Sequence, residues 1–302
     1  MQQKAASERI SAVDTKKYEA LITAARLGSF SAAADALGYT PAGIAIMADA
    51  VESALGVKLL NRTRHGVTLT ESGREMINEI NAILNHEALL FQYASELKGL
   101  IHGTVTIGSY CSIASHWLPD IIKDFSRQYP GIRISVREAE HKLLNQLLSK
   151  GNVDFIMTSY DPDLAYQWIP LKKDRMVVVV SLDHPLTLKK HVSVSDCLSY
   201  PFIVADGGRE YDAASLLTSE NASADIRFST LENYSAIAMT ESGLGISIMN
   251  ELITQGINRK IKVIPLYPDK YIELGIACPD IKLLSPAAKK LINFIKEQNL
   301  QH

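Results

Sequence analysis

Three cysteines in 302 residues, Cys111, Cys197 and Cys278, stand too far apart in sequence for a disulfide framework or a metal-ligand cluster. That usage suits a reducing compartment. No stretch approaches the roughly 18 apolar residues of a membrane span, and residues 1–17 are polar, without a signal-peptide core, so the expectation is a cytoplasmic protein. Charge of one sign is missing too: the net charge of −2 supplies no global attraction for nucleic acid. Catalytic signatures are equally absent. There is no Gly-x-Ser-x-Gly elbow, no Gly-x-x-x-x-Gly-Lys phosphate loop and no His-Glu-x-x-His. His116, His141 and His184 are scattered, and no Cys–His pairing marks Cys111 as a nucleophile. Neither an enzyme nor a cofactor is expected. What the chain does have is apolar material: 47% of residues are hydrophobic against 21% charged, enough to bury real cores. At roughly 150 residues per domain its length suggests two domains.

Residues 1–74 hold nine bases and seven acids, so even here the basic surplus is small. The pattern is more informative. Tyr18, Leu21, Ile22 and Ala25 recur at helical steps between Thr15 and Leu27, and Gly28 stops the run. Ala32, Ala33, Ala34 and Ala36 place a second short helix over residues 31–37. After the turn at Gly38-Tyr39, Thr40-Pro41 starts a third that extends to about residue 55, with a hydroxyl cap and proline at the first helical position. Two short helices joined by a glycine-containing turn make a helix-turn-helix, and the third helix takes the major-groove position. Residues 57–62 and 67–69 read as strands of a wing around Arg64-His65-Gly66. Arg62, Arg64 and His65 suit it to phosphate or minor-groove contact.

Three blocks in order, Gly28-Ser29-Phe30-Ser31-Ala32-Ala33-Ala34, Leu55-Gly56-Val57-Lys58-Leu59-Leu60-Asn61-Arg62 and Leu69-Thr70-Glu71-Ser72-Gly73, resemble the DNA-binding signature of the LysR family. The resemblance implies that Ser29, Thr40, Pro41, Ala45, Ile46, Arg62, Arg64 and His65 lie at the double-stranded DNA. It carries one departure. Where the family usually places Ser and then Arg in the first turns of the third helix, this chain has Ala45 and Ile46. With no Lys or Arg between 41 and 55, bidentate guanine readout from that helix is excluded, which leaves thymine-methyl contacts, the wing and DNA shape.

From residue 70 to 98 apolar residues recur at helical spacing without proline. The stripe Ile77, Ile80, Leu84, Ala88 and Phe91 is expected to pair with its counterpart in a second subunit, as the resemblance implies for a linker helix. A homodimer or homotetramer follows. Beyond 99–103 strands alternate with helices, as in a parallel α/β sheet: strands at 104–108, 132–138, 154–158, 175–181, 201–205, 245–249 and 272–277, and helices at 113–129, 142–150, 212–218, 233–242 and 286–298. Trp117-Leu118-Pro119, Tyr129-Pro130-Gly131-Ile132, Gly151-Asn152-Val153-Asp154 and Gly243-Leu244-Gly245-Ile246 resemble recurring features of the LysR effector domain, a two-lobed clamp like that of periplasmic binding proteins. The expected organisation is an all-α winged helix-turn-helix over 14–73, a linker and dimerisation helix over 74–99, and an α/β two-lobed effector domain over 104–302.

Ligands of such domains sit at strand ends and helix N-termini. Ser109, Ser112 and Ser115 follow the first strand and open the first helix, Thr158 and Ser159 end the third strand, and Arg209 follows two glycines. Together they suggest a small anionic effector, its carboxylate gripped by Arg209. Two other readings compete. A solute-binding protein of transport would share the clamp but lack the helix-turn-helix. A degenerate regulator would dimerise and sense its ligand while reading DNA weakly or not at all, for which Ala45 and Ile46 are the motive.

Overall fold

Capping side chains set the N-terminal helices in the computed structural model, which describes residues 14–64, 66–98, 102–163, 165–205, 213, 216–218 and 223–298. Asp14 accepts from the Lys16 amide to start α1 (Thr15–Leu27). Ser29 accepts from the Ser31 and Ala32 amides to start α2 (Phe30–Leu37), one residue earlier than expected. Thr40 accepts from the Gly43 amide at 3.1 Å to start α3 (Pro41–Leu55). Ala20, Ala24, Ala33 and Ala34 surround Ile44 without exposure; their small size lets the three helices approach closely.

The wing is an antiparallel pair, β1 (Leu60–Thr63) and β2 (Gly66–Leu69), with Leu60 opposite Leu69. Its first strand begins three residues later than expected because residues 58 and 59 bond elsewhere. The Leu59 amide donates to Glu52, the Lys58 carbonyl accepts from the Thr70 hydroxyl, and the Leu59 carbonyl accepts from the Thr70 amide. Gly66, at φ 129°, passes so near the Gly28 carbonyl that a Cβ would lie 2.5 Å from its oxygen. The neighbouring Val67 amide donates to that same carbonyl, which pins the wing to the end of α1.

The long helix α4 (Glu71–Leu97) is capped by Thr70 and corrects one expectation. Ile80, assigned to an intersubunit stripe, is 3% exposed within its own module, packed among Tyr18, Leu21, Val51 and Leu59, with Met76 and Leu84 beside it. The first half of the helix therefore completes the helix-turn-helix core, because α1, α3 and the wing present a concave apolar surface large enough to cover it. What remains exposed is Ile83, Leu90 and Leu97, at seven-residue intervals, together with Phe91 and Tyr93. Two compact units divide the chain, Met1–Lys98 and Gly99–His302.

In the second unit β3 (Gly103–Ser109) is followed by α5 (Cys111–His116), α6 (Leu118–Gln128), β4 (Ile132–Glu138), α7 (His141–Ser149), β5 (Phe155–Ser159) and β6 (Gln167–Ser181). The single helix expected over 113–129 is broken at Trp117: Pro119, near the start of α6, has no amide hydrogen to continue the α5 ladder. The chain continues through β7 (Phe202–Val204), β8 (Ile226–Ser229), α8 (Asn233–Glu241), β9 (Ser247–Asn250), β10 (Ile261–Pro265), β11 (Tyr271–Cys278) and α9 (Pro286–Glu297), with short helical turns between. Of the helix expected over 212–218, Ala213 and residues 216–218 are helical and the others lie outside the described residues.

The main sheet is mixed rather than parallel. Its order is β10-β6-β11-β5-β3-β4, with β9 also on β6; β4, β3 and β5 run parallel, whereas β11 is antiparallel to β5 and β6. The late return of β11 into the first lobe produces this, since a strand inserted between two others from the far end of the chain has its direction set by its entry point. β6 joins the lobes. Its first half pairs with β11 and its second with β10 and β9, so one 15-residue strand spans both cores. One core gathers Val105, Ile113, Phe125, Phe155, Leu274 and Leu291, and the other Val178, Val180, Phe202, Ile246 and Leu266.

Candidate functional site

In the N-terminal unit the charged groups largely serve one another. Glu52 is buried at the foot of α3, where its carboxylate accepts from the Leu59 and Leu60 amides at 2.7 and 2.9 Å and from Lys58 Nζ at 2.7 Å. Burial by itself would raise this carboxyl; the hydrogen bonds from Lys58 and from the Leu60 and Leu59 amides outweigh it and hold Glu52 below its ordinary 4.5. Arg62, expected at a phosphate or in the minor groove, donates to Asp49 at 2.5 Å, lies 3.4 Å from Glu52 and stacks over the Phe30 ring. Arg64 stands exposed at the tip of the wing, and no ion pair holds it among the described residues. His65 lies outside those residues. The Ser29 and Thr40 hydroxyls are occupied as helix caps, Pro41 is exposed at the first turn of α3, Ala45 is half-buried, and Ile46 is 68% exposed.

In the C-terminal unit a cavity of about 390 Å³ opens between the lobes. Tyr110, Cys111 and Ser112 enter it from the turn into α5, Glu138 to His141 from the end of β4 and the start of α7, and Leu231, Glu232 and Asn233 from the start of α8. Asn250 lines the floor, held by Asp174, which accepts from its side-chain nitrogen and from the Leu252 amide; burial nevertheless pushes the Asp174 carboxyl up. A smaller recess of about 120 Å³ is lined by Thr158, Ser159, Asp161 and Trp168 among others.

A hydrogen-bond network joins the walls of the two spaces. Tyr110 Oη lies 3.1 Å from Ser159 Oγ and 3.1 Å from His141 Nδ1, which also meets Thr158 Oγ1 at 3.0 Å. His141 Nε2 meets Asp161 Oδ2 at 2.8 Å; because a carboxylate only accepts, that nitrogen carries the proton. The network is absent from the sequence-level candidates except for Thr158 and Ser159. Its bonded pairs lie 17 to 49 residues apart along the chain, and no local spacing announces them.

The expected serines separate. Ser112 is buried on the cavity wall, Ser109 is fully buried with its hydroxyl donating to the Tyr110 carbonyl, and Ser115 is exposed, 3.9 Å from the Cys111 sulfur. Arg209 lies outside the described residues. The lining carries Glu138, Glu140 and Glu232 and, among the described residues, no Lys or Arg. Glu140 and Glu232 are also the N-cap residues of α7 and α8, so the helix ends nearest the cavity already have carboxylates beside them. Asn233 Oδ1 is buried with no hydrogen-bond partner among the described residues. The Cys111 thiol is pushed up by burial and then by its hydrogen bond to Glu138, while burial pushes Cys197 up to about 12 and Cys278 to about 11; none is activated as a thiolate.

Residues 15–74 match the bacterial regulatory helix-turn-helix protein family of LysR type, and residues 98–300 match the LysR substrate binding domain. The helix-turn-helix transcriptional regulator YvbU of Bacillus subtilis is 30% identical over 284 residues, which cover 93% of this chain and 97% of that one. The chain belongs to the LysR family of transcriptional regulators, a family of DNA-binding regulators and not of enzymes. Among solved structures, full-length CbnR in complex with its target DNA superposes with a TM-score of 0.71 at 16% identity, covering 94% of this chain and 99% of that one. The effector binding domain of QuiR in complex with shikimate superposes with a TM-score of 0.59 at 24% identity, covering 64% of this chain and 95% of that one. These likenesses confirm the two-part fold. No described helix is long and apolar enough to cross a membrane.

Proposed function

We propose that this regulator binds double-stranded DNA through residues 14–73, associates into a homo-oligomer through residues 74–99, and is controlled by a small molecule held between the lobes of residues 104–302. The carrying observation is the cavity itself, whose walls come from both lobes, so an occupant that touches Ser112 on one side and Asn233 on the other favours one lobe arrangement. The fold shared with CbnR on its target DNA supports the first part and that shared with QuiR holding shikimate supports the third. The exposed Ile83, Leu90 and Leu97, one heptad apart, support the second.

An anionic effector gripped by Arg209 depends on a residue outside those described. The described walls favour a different chemistry. Three carboxylates, an orphan Asn233 carbonyl oxygen and the Tyr110 and Ser112 hydroxyls suit a ligand that presents hydrogen-bond donors, an ammonium or several hydroxyls. Thermal denaturation of the full chain against matched panels of carboxylates, amines and polyols decides between them. A ligand at about 100 times its Kd raises the second unit's midpoint by roughly 5–10 °C. The acidic-wall reading expects the shift from amines or polyols and its loss in Glu232→Gln with Ser112→Ala. A shift from carboxylates alone restores the anionic effector and makes Arg209 its anchor.

A further inference from the structure

The outward face of α3 is apolar where a DNA-reading helix ordinarily carries donors. Ile46 is 68% exposed, one helical turn beyond the exposed Ala42 and beside Ala45 and Pro41. It has no packing duty, since the neighbouring Ile44 fills the core at 0% exposure. The next polar residue on that face, Asp49, has its charge answered by Arg62 at 2.5 Å and Lys58 at 3.8 Å, so the helix meets the duplex without an unscreened negative charge. Apart from Ser53 and the capping Thr40 the helix offers no side-chain donor to a base edge. The major groove presents one apolar feature, the 5-methyl group of thymine, and the N-terminal turns of the recognition helix are the part that reaches base edges.

We propose that Ile46 is the specificity-determining residue of this regulator and that, flanked by Ala42 and Ala45, it packs against thymine 5-methyl groups in the major groove. The proposal rests on the DNA-binding role of the N-terminal unit. Contact removes an exposed aliphatic side chain and a methyl group from water together, whereas a cytosine at the same place sets its exocyclic amine against the Ile46 side chain, which has no acceptor, while the nearest carboxylate, Asp49, is engaged by Arg62. Discrimination then comes from apolar fit instead of paired hydrogen bonds, and the operator is marked by thymines at fixed positions.

The test uses the full chain and duplexes selected by it from a randomised library. In the best duplex each thymine is replaced in turn by uracil, which deletes the methyl group and keeps every hydrogen-bonding group, and binding is measured by fluorescence anisotropy. One or two thymines in each half-site should lose affinity by about fourfold on replacement, the worth of one methyl returned to water. In Ile46→Ala those penalties should fall to nearly nothing with the melting temperature unchanged, as befits an exposed side chain. A duplex indifferent to every uracil, or penalties of the same size in Ile46→Ala, overturns the assignment while leaving DNA binding in place. Failure to enrich any duplex overturns the DNA-binding role, and this proposal with it.

Discussion

The two units spend the same kinds of side chain in opposite ways. In the N-terminal unit Glu52, Asp49, Lys58 and Arg62 neutralise one another, and the backbone amides of Leu59 and Leu60 are absorbed as well. The charges build a stiff template and leave its reading face apolar. In the C-terminal unit Tyr110, His141, Thr158, Ser159 and Asp161 are also bonded to one another, but on the walls of open spaces, with Glu138, Glu140 and Glu232 added around the larger one. Polar residues in a fold therefore do not mark a recognition surface by type. What marks it is whether their bonding groups end inside the scaffold or at a space that another molecule can enter.

The sharpest way to break this contrast is to remove the template's anchor. Glu52→Ala strands the two buried amides of Leu59 and Leu60 and takes from Lys58 its nearest carboxylate, and should cost the N-terminal unit about 3–5 kcal/mol in chemical denaturation while the second unit's transition stays put. The pH dependence has a definite sign. A carboxyl held below 4.5 in the folded state adds stability above that pH and loses it as the pH falls through the folded value, so the first transition should weaken below about pH 4.5 in the wild type and less so in Glu52→Gln. An unchanged midpoint would reduce Glu52 to a bystander.

The helix α4 gives the next largest effect. Leu90→Glu with Leu97→Glu should yield a folded monomer by light scattering, a loss of at least about 3 kcal/mol of association energy. Ile80→Glu should instead unfold the first unit, because Ile80 is core. If Ile80→Glu gave a well-folded monomer, the stripe originally expected would be the seam after all. In the second unit, His141→Phe leaves Thr158, Asp161 and Tyr110 each short of a partner and should lower that unit's stability by about 1–3 kcal/mol, with DNA affinity of the first unit retained. The smallest effect belongs to Arg64→Ala, which should weaken binding to all duplexes alike and reduce the slope of log affinity against log salt by about one. A loss confined to one sequence would make Arg64 a base reader.

Much of this was legible from the chain alone where the physics is local. Thr40 and Pro41 announce α3, Gly28 ends α1 as expected, and Ala33 and Ala34 mark the close helix contact, because capping and helical spacing act over three or four residues. The helical periodicity of α4 was visible, yet periodicity names a face without naming its cover: Ile80 of the expected stripe went to the module's own core, and the exposed heptad proved to be Ile83, Leu90 and Leu97. The long reach of β6 was hidden because Pro170, Lys172, Lys173 and Asp174 interrupt any alternation; the pairing with β11, a hundred residues away, makes them a strand.

By itself the sequence determined the three N-terminal helices, the Thr40 cap and Gly28 stop that bound them, the apolar character of the reading helix and the two-part plan, since each follows from neighbours along the chain. Tertiary structure alone decided that Arg62 turns to Asp49, that β11 enters the sheet antiparallel, that Ser109, Ser112 and Ser115 part company, and that His141 meets Asp161 and Thr158. Those outcomes depend on which distant surfaces cover one another, and a hydrogen bond or buried contact is assigned only when both partners have been carried to the same place.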